Sequence, residues 1–420
     1  MATERVDLPL PGPSNPSGND PSSNTAARTP SSVRPPKPRI LGPVYRLVPA
    51  ALVLAVATAF SAKRILPNST LEVQQIPSDK LTQPAPLEGV LAANNRLFSS
   101  SAQKIFEGVN GSETISFGPD GAQYGSDDRG IIWKADAGSS KPQPIAYMGG
   151  RPLGHMPDGK GNLIMADGCK GLVSLNLETG LKTLLTNSVD DAASFSNTSE
   201  IKYANDLDIA SDGTIYFSDS SVVAPPRSAD GKCDTYAAFM QTYYHGASTG
   251  RLLSYNPATG KTKALATGIF YANGVALSQD ESYVLLAETG ALRILRIWLS
   301  GPKAGQQEIF ATNIPGMPDG ISRGPGGTFW VAIVARPPAA FLKIRSWPTL
   351  RWLCAWLPPS WLPKPVPYGL VLQVNEQGQV LQSLHDPTGK HAFSISAVHE
   401  HDGKLYLGSL AAPYMLALSL

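Results

Sequence analysis

The stretch NDLDIASDGTIY, residues 205–216, can be laid without a gap over ETISFGPDGAQY (113–124), NGVALSQDESYV (273–284) and DGISRGPGGTFW (319–330). Each copy opens on a side chain that carries an oxygen: Asn205, Glu113, Asn273 and Asp319. Apolar residues follow at alternate positions, the pattern of a strand, and an Asp-Gly-like turn arrives seven or eight residues on. Two further stretches keep the register without the opening oxygen: LGHMPDGKGNLI (153–164) and ISAVHEHDGKLY (395–406). Six copies of one unit are an internal repeat, and a repeat settles architecture before any single motif is read.

A four-stranded propeller blade takes roughly 40 to 50 residues, so each interval between copies holds one blade and a variable insertion. The second halves agree: GRLLSYNPATGKTKALA (250–266) and GLVSLNLETGLKTLL (171–185) read as outer hairpins. The expected fold is all-β, a six-bladed β-propeller over residues 106–420. A parallel β-helix is the alternative, but its repeats would be shorter and more regular.

The chain before residue 106 reads differently. Residues 1–43 are rich in Pro, Ser, Asn and Gly and cannot bury enough apolar surface to order themselves, so a disordered tail is expected. Residues 47–62 carry no charge and are closed by Lys63 and Arg64. Val44, Tyr45 and a snorkelling Arg46 extend this run toward the roughly 20 residues that a span needs. A cleaved signal peptide competes with this reading, as does a buried helix. The long preceding segment disfavours the first, and an apolar surface all round disfavours the second. A transmembrane signal anchor over 44–62 fits best, followed by a stalk and lead-in over 63–105. The excess of Lys and Arg before the run keeps the N-terminus cytoplasmic. The protein is then a single-pass type II membrane protein, its propeller in the endoplasmic reticulum lumen or outside the cell. Asn68, Asn110 and Asn197 head glycosylation sequons. Three cysteines permit at most one internal disulfide, Cys169 with Cys233 the favoured pair, against three unpaired thiols. The net charge of +2 offers no footprint for nucleic acid.

One insertion, 336–368, holds Trp347, Trp352, Trp356 and Trp361 among basic residues. A helix over 346–357 would put Trp352 and Trp356 on one face. The segment reads as a cap on the propeller mouth or as a membrane-contacting lid, and the two are compatible.

In a propeller the innermost strands line the axis, so equivalent repeat positions converge there. Glu113, Asn205, Asn273 and Asp319 would bring together two carboxylates and two amides, hard oxygen donors suited to Ca²⁺ ahead of Mg²⁺ or Mn²⁺. Any one of them alone could be an ordinary turn residue; four at one register of a repeat point to a metal. Asp206 would be a further ligand or would orient Asn205.

Longer motifs now carry a resemblance. YANDLDIASDGTIYFSDSS (203–221), GRLLSYNP (250–257), YANGVALS (271–278), AETGALRILRIW (287–298), PGMPDGIS (315–322), SLHDPTGK (383–390) and VHEHDGKLYLGSL (398–410) resemble the strictosidine synthase-like family from about residue 85 onward. The axial four resemble, more distantly, the calcium ligands of paraoxonases and gluconolactonases. The resemblance implies a six-bladed propeller with axial Ca²⁺ and, in membrane-anchored members, arylesterase-type hydrolysis. Aligned on Glu400-His401-Asp402-Gly403, Ser396 falls where the synthase has its glutamate, so strictosidine synthesis is not expected. Leu153 stands where paraoxonases place a catalytic histidine, with His155 two residues away.

The expected function is a membrane-anchored, calcium-dependent hydrolase of small-molecule esters or lactones, with His155, Asp206 or Asp319 as the base. The rival is a non-catalytic membrane-tethered propeller with structural calcium, binding lipid or a partner.

Overall fold

Each of the six copies becomes the innermost strand of a four-stranded antiparallel sheet, and the six sheets are the blades of a propeller. The computed structural model describes residues 73–98, 102–139, 141–190, 198–357, 361–362 and 364–420. Blades 1 to 5 occupy 115–147, 152–186, 204–269, 272–311 and 317–386. Blade 6 runs over 395–419 and takes its outer strand, Gln103–Ile105, from the other end of the chain, with Gln103 opposite Ala417. The ring is thus closed by strands from both sides of the repeat, and it starts at residue 103 rather than 106.

Successive side chains on a strand point to opposite faces, and here both faces are covered by neighbouring blades. Phe329, Val331 and Ile333 pack toward blade 4, while Trp330 and Ala332 between them pack toward blade 6. Such strands must be apolar throughout, which is why FWVAIV reads as an unbroken run. An apolar cluster of this kind fills each of the six junctions. Every large side chain buried in them stabilises by about 1.5–3 kcal/mol.

The inner strands share a defect that matters for function. In blades 2 to 5 the register slips near the start of the strand, across two unpaired residues: Pro152 to His155, Ala204 to Leu207, Ala272 to Val275 and Pro318 to Ile321. A bulge of this sort bends the strand and re-aims the side chains within it. Asn205, Asn273 and Asp319 each stand in a bulge, followed by Asp206, Gly274 and Gly320. A Cβ on Gly274 would overlap the Asp319 carbonyl oxygen, and one on Gly320 would crowd the Ser396 carbonyl, so neighbouring inner strands close up only because both are glycine. In blade 6 the slip lies between Ile395 and Ala397, which puts Ser396, and not Ile395, at the shared position.

The turns joining second to third strands lie at the end where the inner strands begin. Two of these turns are enlarged. The one in blade 3 holds helix α1 (Thr235–His245), capped by Asp234, which accepts from the Ala237 amide, and closed by Gly246 in the left-handed conformation. The one in blade 5 holds α2 (Ala339–Arg345) and α3 (Pro348–Ala355). The helix expected over 346–357 is α3, begun at Pro348 and ended at Ala355, and α2 precedes it outside that range. Pro348 lacks an amide hydrogen and starts a helix more readily than it continues one. The Trp352 and Trp356 rings do lie together, 5.8 Å apart. Tyr244 of α1 packs on Cys354 and Ala355 of α3, joining the two insertions into one cap.

The described part of the lead-in is a strap on this cap, not a free stalk. The Gln74 amide donates to the His245 carbonyl at 2.8 Å, and Arg351 and Arg345 donate to the Gln74 and Thr82 carbonyls. Lys80 and Arg293 both pair with the fully buried Glu288, at 3.0 and 2.5 Å. Ile76 and Leu97 are buried. Sparse strand signals hid this because the strap is held by side chains reaching out from other elements.

Cys169 and Cys233 form a disulfide that ties the mouth turn of blade 2 to the residues before α1, and Cys354 is a buried free thiol. Cys233→Ser is expected to lower stability by about 2–4 kcal/mol, read as the shift in urea unfolding free energy against the oxidised native chain. The tail 1–43, the anchor 44–62, Asn68 and Asn197 lie outside the described residues; Asn110 is exposed. Among the described residues no helix is long and apolar enough to cross a membrane.

Candidate metal centre

The repeat brings Glu113, Asn205, Asn273 and Asp319 to the mouth end of the axis, each at most 6% exposed. Asn205 gives its amide hydrogens to Ser220 Oγ at 3.0 Å, and Ser220 Oγ in turn donates to the Ala272 carbonyl at 2.6 Å. The Asn273 side chain lies close enough to Asp319 to favour its ionised form. Asn205 Oδ1 and Asn273 Oδ1 are both buried and have no hydrogen-bond partner. A buried amide oxygen left unpaired costs about 1–3 kcal/mol, and two of them share one site.

The carboxylates tell the same story. Burial pushes Glu113 up to about 8, offset in part by Arg151 and reinforced by Asp206. Asp319 is raised well above the carboxylate range, first by burial and then by the charges of Glu113 and Asp206. Arg151 offsets only part of this reluctance to ionise. The two carboxyls and two partnerless amide oxygens form a set of hard donors short of positive charge, the chemistry that a calcium ion would satisfy. Among the described residues no three of His, Cys, Asp and Glu are grouped to hold a metal; half of this set is amide.

Asp206 does not orient Asn205. Its carboxylate accepts from the Leu207 amide at 2.9 Å and the Val275 amide at 3.0 Å, bracing blade 3 against blade 4. Burial raises it to about 7 even so. The groups that position the donors are two serines: Ser220, which the sequence reading did not single out, and Ser396, which it read only as the replacement for the synthase's glutamate. Ser220 holds Asn205, and Ser396 Oγ donates to the Glu113 carbonyl at 2.9 Å across the junction of blades 6 and 1.

His155 stands on an inner strand, not in a loop. It occupies the position of Leu207, Val275 and Ile321 in the next three blades, where those residues fill the blade junctions. Its Nδ1 lies 2.8 Å from Ser116 Oγ, while its Nε2 is buried without a partner. Burial, then His399, lowers its pKa to about 3, so the ring is neutral. Leu153, at the metal register of blade 2, joins an apolar cluster with Tyr203, Val223, Ala238 and Tyr271 at the edge of the site. The Tyr271 hydroxyl donates to the Tyr203 hydroxyl at 2.8 Å, and Tyr203 to the Thr235 carbonyl at 3.2 Å. The sequence signal for this pair was the repeated Tyr-Ala-Asn at 203–205 and 271–273.

A six-bladed propeller with bulged inner strands that present oxygen donors at one mouth defines the class. The family model for strictosidine synthase matches residues 205–302. Adipocyte plasma membrane-associated protein from Homo sapiens is 32% identical over 399 residues, 90% of this chain and 91% of that protein. The strictosidine synthase-like 10 protein of Arabidopsis thaliana is 33% identical over 355 residues, 77% of this chain and 89% of that one. The chain belongs to the strictosidine synthase-like family. Two solved structures share the fold. A gluconolactonase from Xanthomonas campestris superposes with a TM-score of 0.53 at 16% identity, over 76% of this chain and 90% of that one. A calcium-binding protein, regucalcin, from Agrobacterium tumefaciens gives 0.51 at 13% identity, over 76% and 93%.

Proposed function

We propose that the chain is a calcium-dependent hydrolase of carboxylic esters or lactones, its metal held by Glu113, Asn205, Asn273 and Asp319. One observation carries the metal: the partnerless Oδ1 atoms of Asn205 and Asn273 beside two carboxyls that cannot readily ionise. A bound calcium supplies positive charge that polarises an ester carbonyl and favours an oxyanion. Ser220 and Ser396 fix the donors, and the cluster of Leu153, Tyr203 and Tyr271 excludes water and offers an apolar wall to an acyl or aryl group. We assign the proton acceptor to Asp206, whose pKa of about 7 suits a general base, ahead of His155, which is turned into a blade junction. The gluconolactonase and regucalcin folds support the lactone and calcium parts of this reading. The name of the human relative supports a membrane setting through an anchor at 44–62, with the propeller lumenal or extracellular.

A second reading rests on the depth of the site. The four donors are nearly inaccessible beside the apolar cluster, which suits an ion that only braces the ring of a binding platform. Hydrolysis of an aryl acetate by the purified full chain, with and without chelator, separates the two. The hydrolase is expected to lose turnover on chelation, to lose about 100-fold or more in kcat in Asp206→Asn, and to keep activity within about threefold in His155→Leu. No turnover in the calcium-loaded chain, with chelation lowering only the melting temperature, would establish the platform instead.

A further inference from the structure

The cap carries a surface that neither the metal nor the proposed chemistry uses. Trp347, Trp352 and Trp361 are 63%, 52% and 53% exposed, and Leu353 and Val366 of the same insertion are exposed as well. Beside α2 and α3 opens a groove of about 500 Å³, with Leu342, Trp347 and Leu350 on its wall and Lys343 among its lining. Residues 336–368 contain no Asp or Glu and five Lys or Arg. Two of the five, Arg345 and Arg351, are consumed inside, where they hold the strap and the turn residues 244 and 290. Lys343 and Lys364 remain exposed. Water-facing tryptophans with lysines and no acid among them make a poor surface for water and a good one for the headgroup layer of an anionic bilayer, where indole rings and ammonium groups both settle.

The course of the chain names the occupant. The strap meets the cap at Gln74, bonded to the last residue of α1 and to Arg351 of α3. Only residues 63–73 separate Gln74 from the uncharged run 47–62. Eleven extended residues reach at most about 40 Å. If the run is embedded, the cap is tethered close to the same bilayer, and its exposed face needs little further energy to touch it.

We infer that the face formed by Trp347, Trp352, Leu353 and Trp361, with Lys343 and Lys364, seats the propeller mouth on an anionic lipid surface. The inference borrows from the functional reading only the anchor, and only for the tether. An ester substrate carried in the bilayer would then meet the axial site from the membrane side.

The test reconstitutes the full chain into phosphatidylcholine vesicles, with or without phosphatidylserine, whose acyl chains carry bromine near the headgroup. Bromine is expected to quench the tryptophan fluorescence of the native chain, and more so with phosphatidylserine. The triple variant Trp347→Ser, Trp352→Ser, Trp361→Ser should lose more than half of that quenching with its unfolding temperature unchanged. Alkaline carbonate extraction scores the anchor separately: a chain that washes off refutes the anchor reading. The cap is then judged by whether the native chain, and not the triple variant, floats with anionic vesicles. Equal quenching in both proteins, no quenching of a retained chain, or a concentration-dependent dimer that the triple variant abolishes without any lipid effect would each overturn the proposal.

Discussion

Asp319→Asn is expected to abolish the calcium response of the chain and, at the same time, to make the calcium-free chain more stable. The two effects have opposite signs because the residue serves a guest at the host's expense. In the calcium-free protein Asp319 is 2% exposed and its pKa is raised by burial and by Glu113 and Asp206. Near neutral pH, folding must then either bury that charge beside others or take up a proton that the solution does not readily give. Asparagine has the same shape and needs no proton. The relief should be about 1–3 kcal/mol, visible as a higher unfolding free energy in chelator. Calcium loses one of its two charged ligands, and affinity should fall by about 100-fold or more, about 3 kcal/mol. A variant that is less stable than the native chain in chelator, or whose calcium-induced rise in melting temperature is intact, would place Asp319 in an ordinary structural role.

The second large effect is on pH. Glu113 moves from 4.5 in the unfolded chain to about 8, and Asp206 from 3.8 to about 7. Between those limits the folded chain binds more protons than the unfolded one. Its stability is therefore full below about pH 4 and falls as pH rises toward 8. Each group contributes a slope of up to about 1.4 kcal/mol per pH unit inside its own window. Asp208, raised by burial as well, acts in the same direction. Calcium reverses the trend, since it binds the ionised form and releases the protons, so its stabilising effect should grow with pH. Melting curves from about pH 5 to 8.5, in chelator and in calcium, check both statements. A chelated chain whose stability is flat or rises over that range would contradict them.

The ring of blades was legible in the sequence because a blade is a local object. Its strand alternation, its Asp-Gly turn and its spacing all lie within one repeat, and burial on both faces forces runs such as FWVAIV to be apolar. The column of Glu113, Asn205, Asn273 and Asp319 was legible for the same reason, as one position of that repeat, while its metal is a proposal. What stayed hidden depends on contacts between repeats or between the repeats and their insertions. Ser220 and Ser396 act across blade junctions, and no local pattern marks a serine that will meet a neighbour's backbone. The bulge shifted blade 6 by one residue, so Ser396 rather than Ile395 shares the donors' column, a slip that only strand pairing reveals. His155 was drawn toward catalysis by its nearness to Leu153; two residues along a bulged strand turned it into a junction otherwise filled by Leu207, Val275 and Ile321. The lead-in carried few strand signals because Arg345, Arg351 and Glu288, far along the chain, hold it in place.

The axial calcium site is tested most directly by titrating CaCl₂ into the chelator-treated full chain in a calorimeter, in two buffers of different ionisation enthalpy near pH 7. One calcium per chain should bind, with heats that differ between the buffers because Glu113 and its neighbours give up protons, and Asp319→Asn should show neither heat. Absence of binding at millimolar calcium, or binding that persists unchanged in Asp319→Asn and Asn273→Ala, would show that these four residues hold no metal.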